Sequence, residues 1–247
     1  MIAMRQSPPQ ELSPRCMAGF TLIEILVSIT IFAILATIVY SSLNAVLSRS
    51  EAIKESVAAF EMAKNTLSRM SRDLRATFVE QYPEYQVPGI VDPPDPYRFQ
   101  GEEAFVGGKT ASRLTFASTE HLRISSDIIS GLGRIMYYAE SNEDRNDDLL
   151  VIRRSDLPFP YDIDPNRLHD SRVDPVISEQ VASFVLTYVD EDGQTHQEWD
   201  SDSDRFRYAT PRAVIIEISI EGENGTHAFE TRVDIPVYRN RIENVRR

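Results

Sequence analysis

The sequence GFTLIEILVSITIFAILATIVY, residues 19–40, decides the fold of this chain. From Phe20 to Tyr40 it contains a single charged residue, Glu24. A membrane-spanning helix needs about 20 mostly apolar residues at ~1.5 Å rise each. The apolar core of an ordinary secretory signal is shorter, roughly 7–15 residues. The run therefore predicts one transmembrane helix over residues 20–40.

The residues before this run are polar and lightly basic: MIAMRQSPPQELSPRCMAG, residues 1–19. Basic residues that precede a membrane helix favour the cytoplasmic side, so we expect this leader inside the cell and the C-terminal bulk outside. The switch from polar to apolar falls directly after Gly19. The same boundary exists if translation starts at Met4 or Met17 instead of Met1. We interpret residues 1–19 as a leader that is removed between Gly19 and Phe20.

The carboxylate of Glu24 needs a partner at this depth. An unpaired charge inside a bilayer costs about 2.5–3.5 kcal/mol on insertion scales. Cleavage after Gly19 would give Phe20 a free amine four positions from Glu24, about one turn of a helix. That amine can pair with a carboxylate on its own chain or on a neighbouring chain. Gly19, Phe20 and Glu24 thus form the candidate site for processing and assembly.

The hexapeptide Gly19-Phe20-Thr21-Leu22-Ile23-Glu24 resembles the prepilin processing motif of type IV pilins and type II secretion pseudopilins. The resemblance implies that a prepilin peptidase cuts after Gly19 and N-methylates Phe20. It also implies that Glu24 guides insertion into a filament. The chain departs from the pattern in one respect, because three residues separate Arg15 from Gly19. An uncleaved signal anchor is the alternative.

The helical pattern continues past the membrane, because residues 41–80 contain neither proline nor glycine. Apolar residues recur there in steps of three and four, as on one face of an amphipathic helix. The stripe is Ile53, Val57, Phe60, Ala63, Leu67, Met70, Leu74 and Phe78. We predict one helix from Thr21 to about Glu80, whose stripe packs against the rest of the chain.

A β-rich head is predicted over residues 81–238. Prolines between Pro83 and Pro96 end the helix in an irregular loop. The hydrophobic period then changes to two, which indicates strands. The predicted strands cover residues 113–118, 134–140, 149–154, 181–189, 195–199, 213–221 and 227–235. The fold class is α+β, a type IV pilin-like (pseudopilin) fold with a helical spine on antiparallel sheets. Residues 239–247 are expected to be a frayed tail.

Several runs of the late helix and the head resemble the J-type minor pseudopilin of type II secretion. They are Leu67–Arg75, Met136–Tyr138 followed by Leu149–Arg154, Val181–Tyr188 leading to Trp199, and Pro211–Val214. The resemblance implies a structural subunit at the pseudopilus tip that supports export of folded proteins across the outer membrane. Its implied partners are the I-type and K-type minor pseudopilins, with the H type and the major pseudopilin as further candidates. It implies a single pass through the bacterial inner membrane with the head in the periplasm. A minor pilin of a type IV pilus, acting in adhesion, motility or DNA uptake, is the alternative.

Composition argues against other function classes. The net charge of −12 disfavours nucleic acid as a partner, because binding to phosphates draws on clustered positive charge. The sequence offers no catalytic motif, so we expect neither an enzyme nor a cofactor. Asp200, Asp202 and Asp204 alternate like the oxygen ligands of a calcium loop. Arg205 stands where the turn glycine of such a loop belongs. We therefore expect no metal and keep these three residues as a secondary calcium hypothesis.

Overall fold

A computed structural model describes residues 21–89, 91–120, 131–142, 148–159, 169–222 and 225–242, with the backbone alone for residues 48–56. The chain divides into two compact units, Met1–Glu51 and Ala52–Arg247. The first unit contributes the apolar part of one long helix. The second contributes the rest of that helix and the sheet.

Helix α1 spans Leu22–Arg75. Its segment Leu22–Leu47 has a mean hydropathy of 2.6 and no buried side chains, and it is long and apolar enough to cross a membrane. The helix ends at Arg75, before the predicted end near Glu80. The physical reason is strand-like pairing, since Thr77 bridges Ser118 and the amide of Phe78 donates to the carbonyl of Ala117 at 2.8 Å.

The strands of the second unit form one mixed sheet. They are β1 Gln100–Val106, β2 Lys109–Ser118, β3 Gly133–Ser141, β4 Leu150–Pro158, β5 Val176–Val189, β6 Thr195–His196, β7 Trp199–Asp200, β8 Ala213–Gly222 and β9 Gly225–Asp234. Neighbouring strands follow the order β7-β1-β2-β3-β4-β5-β8-β9, and β6 pairs with β5. These pairings are antiparallel, while a bridge between Ala111 and Phe184 joins β2 to β5 in parallel. A long N-terminal helix followed by a largely antiparallel sheet confirms the predicted α+β class.

The helix packs one face into the core of this unit. Ala63, Met70 and Leu74 are fully buried, as the apolar stripe predicts. Val57 and Phe60 are each 53% exposed and Phe78 is 37% exposed, so the stripe is wrong at these three positions. The side chain of Ile53 lies outside the described residues. The buried face instead includes Thr66 and Asp73. Thr66 and Asp73 lie on the buried face because both side chains form hydrogen bonds with strand residues, as described below.

The strand predictions are largely confirmed, with shifted ends. Alternation in β8 puts Val214, Ile216, Ile218 and Ile220 into the core. Strand β1 was not predicted, because QGEEAFV carries two glutamates and alternates only weakly. Residues 195–199, predicted as one strand, form the two short strands β6 and β7. The predicted tail is wrong at Arg239, which is 2% exposed.

Candidate functional site

Glu24 lies in the first turn of α1, where the sequence places the assembly site. The amide of Glu24 donates to the carbonyl of Thr21 at 3.1 Å and approaches the Thr21 hydroxyl at 3.4 Å. Thr21 and Glu24 therefore occupy the N-cap and N3 positions with the Thr-x-x-Glu spacing of a capping box, and the half of the box that joins the Glu24 amide to Thr21 is formed. The positive end of the helix dipole also favours a carboxylate in this turn. Sequence reasoning missed this second role of Glu24, although the spacing Thr-x-x-Glu is its usual signal.

The other two residues of the predicted processing site, Gly19 and Phe20, lie outside the described residues. Their roles therefore stay predictions. The described part of the site is the capped helix start and the apolar segment that follows it.

A buried ionic network joins the helix to two strands of the sheet. Nε of Arg154 on β4 donates to Oδ2 of Asp73 at 2.7 Å, and Nη1 of Arg154 donates to Asp156 at 2.6 Å. The hydroxyl of Tyr137 on β3 donates to the same Oδ2 at 2.5 Å. Nη2 of Arg69 lies 3.0 Å from Oδ1 of Asp73. The side chains of Asp73 and Arg154 are 0% and 2% exposed.

The carboxylates of this network keep the buried guanidinium of Arg154 in its charged form. Burial alone lowers the pKa of Arg154, but hydrogen bonds and charge from Asp73 and Asp156 raise it above its ordinary value. Burial, reinforced by the Asp73 carboxylate, raises the pKa of Tyr137, which therefore stays a neutral donor. A buried pair of this kind depends on both partners, because either charge alone is strongly disfavoured in the core.

A second buried arginine, Arg239, follows the last strand. Its Nε donates to the carbonyl of Tyr208 at 2.7 Å, and its Nη2 donates to the carbonyl of Ser201 at 2.8 Å. Its Nη1 lies 2.9 Å from Oδ2 of Asp95. The guanidinium stacks 3.3 Å from the centre of the Tyr85 ring. This cluster contains part of the predicted calcium run.

Two of the three calcium candidates, Asp200 and Asp202, already form hydrogen bonds with other groups of the protein. Asp200 accepts a bidentate pair from Arg98, at 2.7 and 2.6 Å. Asp202 accepts from the hydroxyl of Tyr85 at 3.0 Å and from the amide of Asp95 at 2.8 Å. Burial raises the pKa of Asp202. Among the residues with described positions, no three His, Cys, Asp or Glu converge as metal ligands would. The calcium hypothesis therefore gains no support at Asp200 and Asp202.

A polar cleft of about 690 Å³ lies beside β3, β4 and the start of β5. Arg153 and Arg172 line it. Both arginines are already paired, Arg153 with Glu140 at 2.8 Å and Arg172 with Asp170 at 2.9 Å. The cleft therefore presents no unpaired arginine to a ligand among its described residues.

Comparison with known proteins bears on the N terminus most directly. Residues 14–40 match the family described as the prokaryotic N-terminal methylation motif. No curated protein matches the chain. Among solved structures, a type IV-like pilin from Thermus thermophilus, TTHA1219, is similar with a TM-score of 0.34 and 10% identity. That overlap covers 72% of this chain and 96% of the pilin.

The methylation motif and the architecture are consistent with each other. A prepilin motif, a long apolar helix directly after it and a sheet-rich unit beyond are the parts predicted for a pilin subunit. The chain therefore carries a prokaryotic N-terminal methylation motif on a pilin-like α+β architecture, with one helix segment long and apolar enough to cross a membrane. The motif implies processing by a prepilin peptidase and assembly with other pilin-like subunits.

Proposed function

We propose that this protein is a structural, non-catalytic minor pseudopilin of the J type, at the tip of a type II secretion pseudopilus. The observation that carries the proposal is the methylation motif at residues 14–40, which includes most of the apolar helix segment Leu22–Leu47. In this role the chain is inserted once in the inner membrane of a bacterium, with its head in the periplasm. It supports export of folded proteins across the outer membrane.

The J-type assignment is supported by hydrogen bonds between residues of the runs that resemble the J-type family. The run Leu67–Arg75 supplies Asp73, the run Met136–Tyr138 supplies Tyr137, and Leu149–Arg154 supplies Arg154. These three side chains form one hydrogen-bonded network. The resemblance therefore covers residues that depend on one another, and not three independent short matches.

We infer the assembly mode from the exposed part of the spine. Val57 keeps half of its side chain exposed on the helical surface beside the head. Phe60, three positions further along the helix, is equally exposed, and two apolar side chains at this spacing form a surface suited to contact with another helix. Prepilin-like subunits offer such helices, so we place side-by-side contact with the I-type and K-type subunits along this surface. The large head suits a low-copy position better than a repeating one.

Co-purification tests this proposal. The full chain is expressed with tagged I-type and K-type pseudopilins, and the complex is weighed by native mass spectrometry in detergent. We expect one copy of this chain with one of each partner. Val57→Glu should weaken the complex at least about tenfold, whereas Ala228→Glu, which adds the same carboxylate at an exposed position of β9, should not.

The result that would refute the tip role is self-assembly into long homopolymers without affinity for either partner. Such behaviour would assign the chain to the pilus-forming subunits. Co-purification with the minor pilins of a twitching pilus would favour the alternative function. Both outcomes leave the pilin-like class unchanged.

A further inference from the structure

The residues after β9 run back across the second unit and hold the loop between the helix and the sheet. We name residues 235–242 the C-terminal strap, and residues 76–99, described except for residue 90, the connecting loop. The connecting loop contains no helix or strand in its described residues. Its shape must therefore come from contacts with other segments.

Arg239 is the centre of these contacts. Its side chain is 2% exposed and reaches the connecting loop through the carboxylate of Asp95, 2.9 Å away, and the carbonyl of Glu80, 3.3 Å away. It also stacks on the ring of Tyr85. One side chain thus contacts three separate points of the loop. Each lies more than 140 positions away in sequence, so the contacts close a very long stretch of chain.

The strap itself is fixed to the sheet side of the unit by other bonds. The amide of Arg239 donates to the hydroxyl of Thr210 at 2.8 Å, and the amide of Thr210 donates back to the carbonyl of Arg239 at 3.1 Å. The guanidinium of Arg212 stacks 3.4 Å from the ring centre of Tyr238. The amide of Ile242 donates to the carbonyl of Arg207 at 3.0 Å. The strap is anchored independently of the loop that it holds.

Two carboxylates make the loop dependent on Arg239. Asp95 and Asp202 have side chains that are 4% and 6% exposed, and the amide of Asp95 donates to Asp202 at 2.8 Å. The two carboxylates are therefore close to each other and shielded from water. Without the guanidinium, both would stay buried with insufficient positive charge, which is strongly unfavourable. Opening of the loop would return Asp95 to water at the smallest structural cost.

The sheet has no comparable dependence on Arg239. Pairing between β8 and β9 ends at Asp234, before the strap begins. The core side chains of β5 and β8, among them Phe184, Leu186 and Ile216, are fully buried against each other and the helix. Loss of the strap therefore affects the loop first.

We propose that the C-terminal strap is a releasable lock on the connecting loop. Arg239 provides the contacts that hold the loop in place. Displacement or removal of the strap opens the loop while the sheet stays folded. The lock fixes the presentation of the exposed apolar residues Tyr82 and Val91, which are 74% and 94% exposed. This inference concerns the second unit alone and does not depend on the role at a pseudopilus tip.

Hydrogen exchange of the full chain in detergent, read by mass spectrometry, tests the lock. In Arg239→Met we expect amides of residues 79–99 to exchange at least about tenfold faster, because a buried pair loses one partner. Peptides from β5 and β8 should keep their wild-type rates. Arg232→Met is the matched control, since Arg232 is an exposed arginine on β9, and it should change neither region.

A second substitution that restores slow exchange in the loop distinguishes loss of the lock from a general loss of stability. Adding Asp95→Asn to Arg239→Met removes one of the two buried charges, and it should slow loop exchange back toward the wild-type rate. Arg239→Lys keeps the charge but not the fork of donors, and it should give an intermediate rate even if the methionine variant does not fold. Equal acceleration in loop and sheet, unchanged loop exchange, or failure of Asp95→Asn to slow the loop overturns the proposal.

Discussion

Arg154 on β4 and Asp73 on α1 form a buried ion pair, with Nε of the arginine 2.7 Å from Oδ2 of the aspartate. The pair fixes which face of the helix meets the sheet, because no neighbouring turn of the helix carries another carboxylate at that position. It therefore links the register of the helix to the packing of the head.

Replacing Asp73 by alanine should destabilise the second unit by about 3–5 kcal/mol, since Arg154 would remain charged and buried without its main partner. Urea denaturation followed by circular dichroism measures the effect. Asp234→Ala is the control, because Asp234 is 79% exposed and pairs with Arg232 at the surface. A shift in midpoint no larger than that of the control would contradict the assignment.

The network can also be replaced as a whole. Asp73→Leu combined with Arg154→Met and Tyr137→Phe removes the two fully buried charges and the hydroxyl together. The remaining members, Arg69 and Asp156, have side chains that are 16% and 11% exposed and can reach water. We expect this triple variant to be more stable than Asp73→Ala alone, since well-packed apolar replacements of a buried pair are often neutral. Equal instability of the two variants would mean that packing, and not charge, dominates at this place.

The sequence predicts the periodic parts of this chain well. The apolar run at residues 20–40 and the alternation of Val214, Ile216, Ile218 and Ile220 each show one period over many residues, and the structure has a helix and a buried strand there. Val57 and Phe60 continue the apolar spacing but lie outside the buried face. The reason is that Asp73 and Thr66 occupy that face, and their partners come from distant strands.

Buried polar residues could not be predicted from local sequence. Asp73 and Arg239 look like solvated charges, because each lies among other charged residues. Only their partners, Arg154 in one case and Asp95 in the other, explain why they are buried. The capping role of Glu24 differs, since the spacing Thr21-x-x-Glu24 is readable directly.

Gly101 on β1 should not tolerate a side chain. A Cβ placed there would come 1.9 Å from the hydroxyl oxygen of Tyr188, whose ring is fully buried. Gly101→Ala should therefore cost about 1–3 kcal/mol in the free energy of unfolding. Gly222→Ala is the matched control, because the nearest atom to its Cβ is 3.5 Å away. Thermal unfolding of both variants decides the point, and equal melting temperatures would show that β1 adjusts easily.

Processing should occur between Gly19 and Phe20. Mass analysis of the mature N terminus should give a chain that begins at Phe20 and carries one added methyl group. Gly19→Val should block cleavage, because a branched side chain obstructs a protease that accepts a very small residue. Met17→Leu lies before the site and should be cleaved normally. A mature protein that retains Cys16 would exclude cleavage at this bond.

Glu24→Gln should separate processing from assembly. The substitution removes the charge that can pair with the amine of a neighbouring Phe20, but it keeps an N3 residue able to cap the helix. We expect cleavage at the wild-type rate and at least about tenfold less of the chain in sheared filaments or co-purified complexes. Thr21→Ser, which keeps the N-cap hydroxyl, should affect neither. Normal assembly of the glutamine variant would remove Glu24 from the assembly site.

Truncations at three positions test whether the helix completes the core of the head. A chain starting at Asn44, or at Ala52 where the second compact unit begins, retains Ala63, Met70 and Leu74. Both should be soluble and monomeric, with mixed helix and strand by circular dichroism. A chain starting at Val79 lacks these three side chains and Asp73. It exposes the sheet face that they cover and leaves Arg154 without its main partner, so it should aggregate. Size-exclusion chromatography with light scattering distinguishes the outcomes. If the shortest chain is monomeric and unfolds at the same urea concentration as the other two, the helix does not contribute to the core, and the packing described for α1 is wrong.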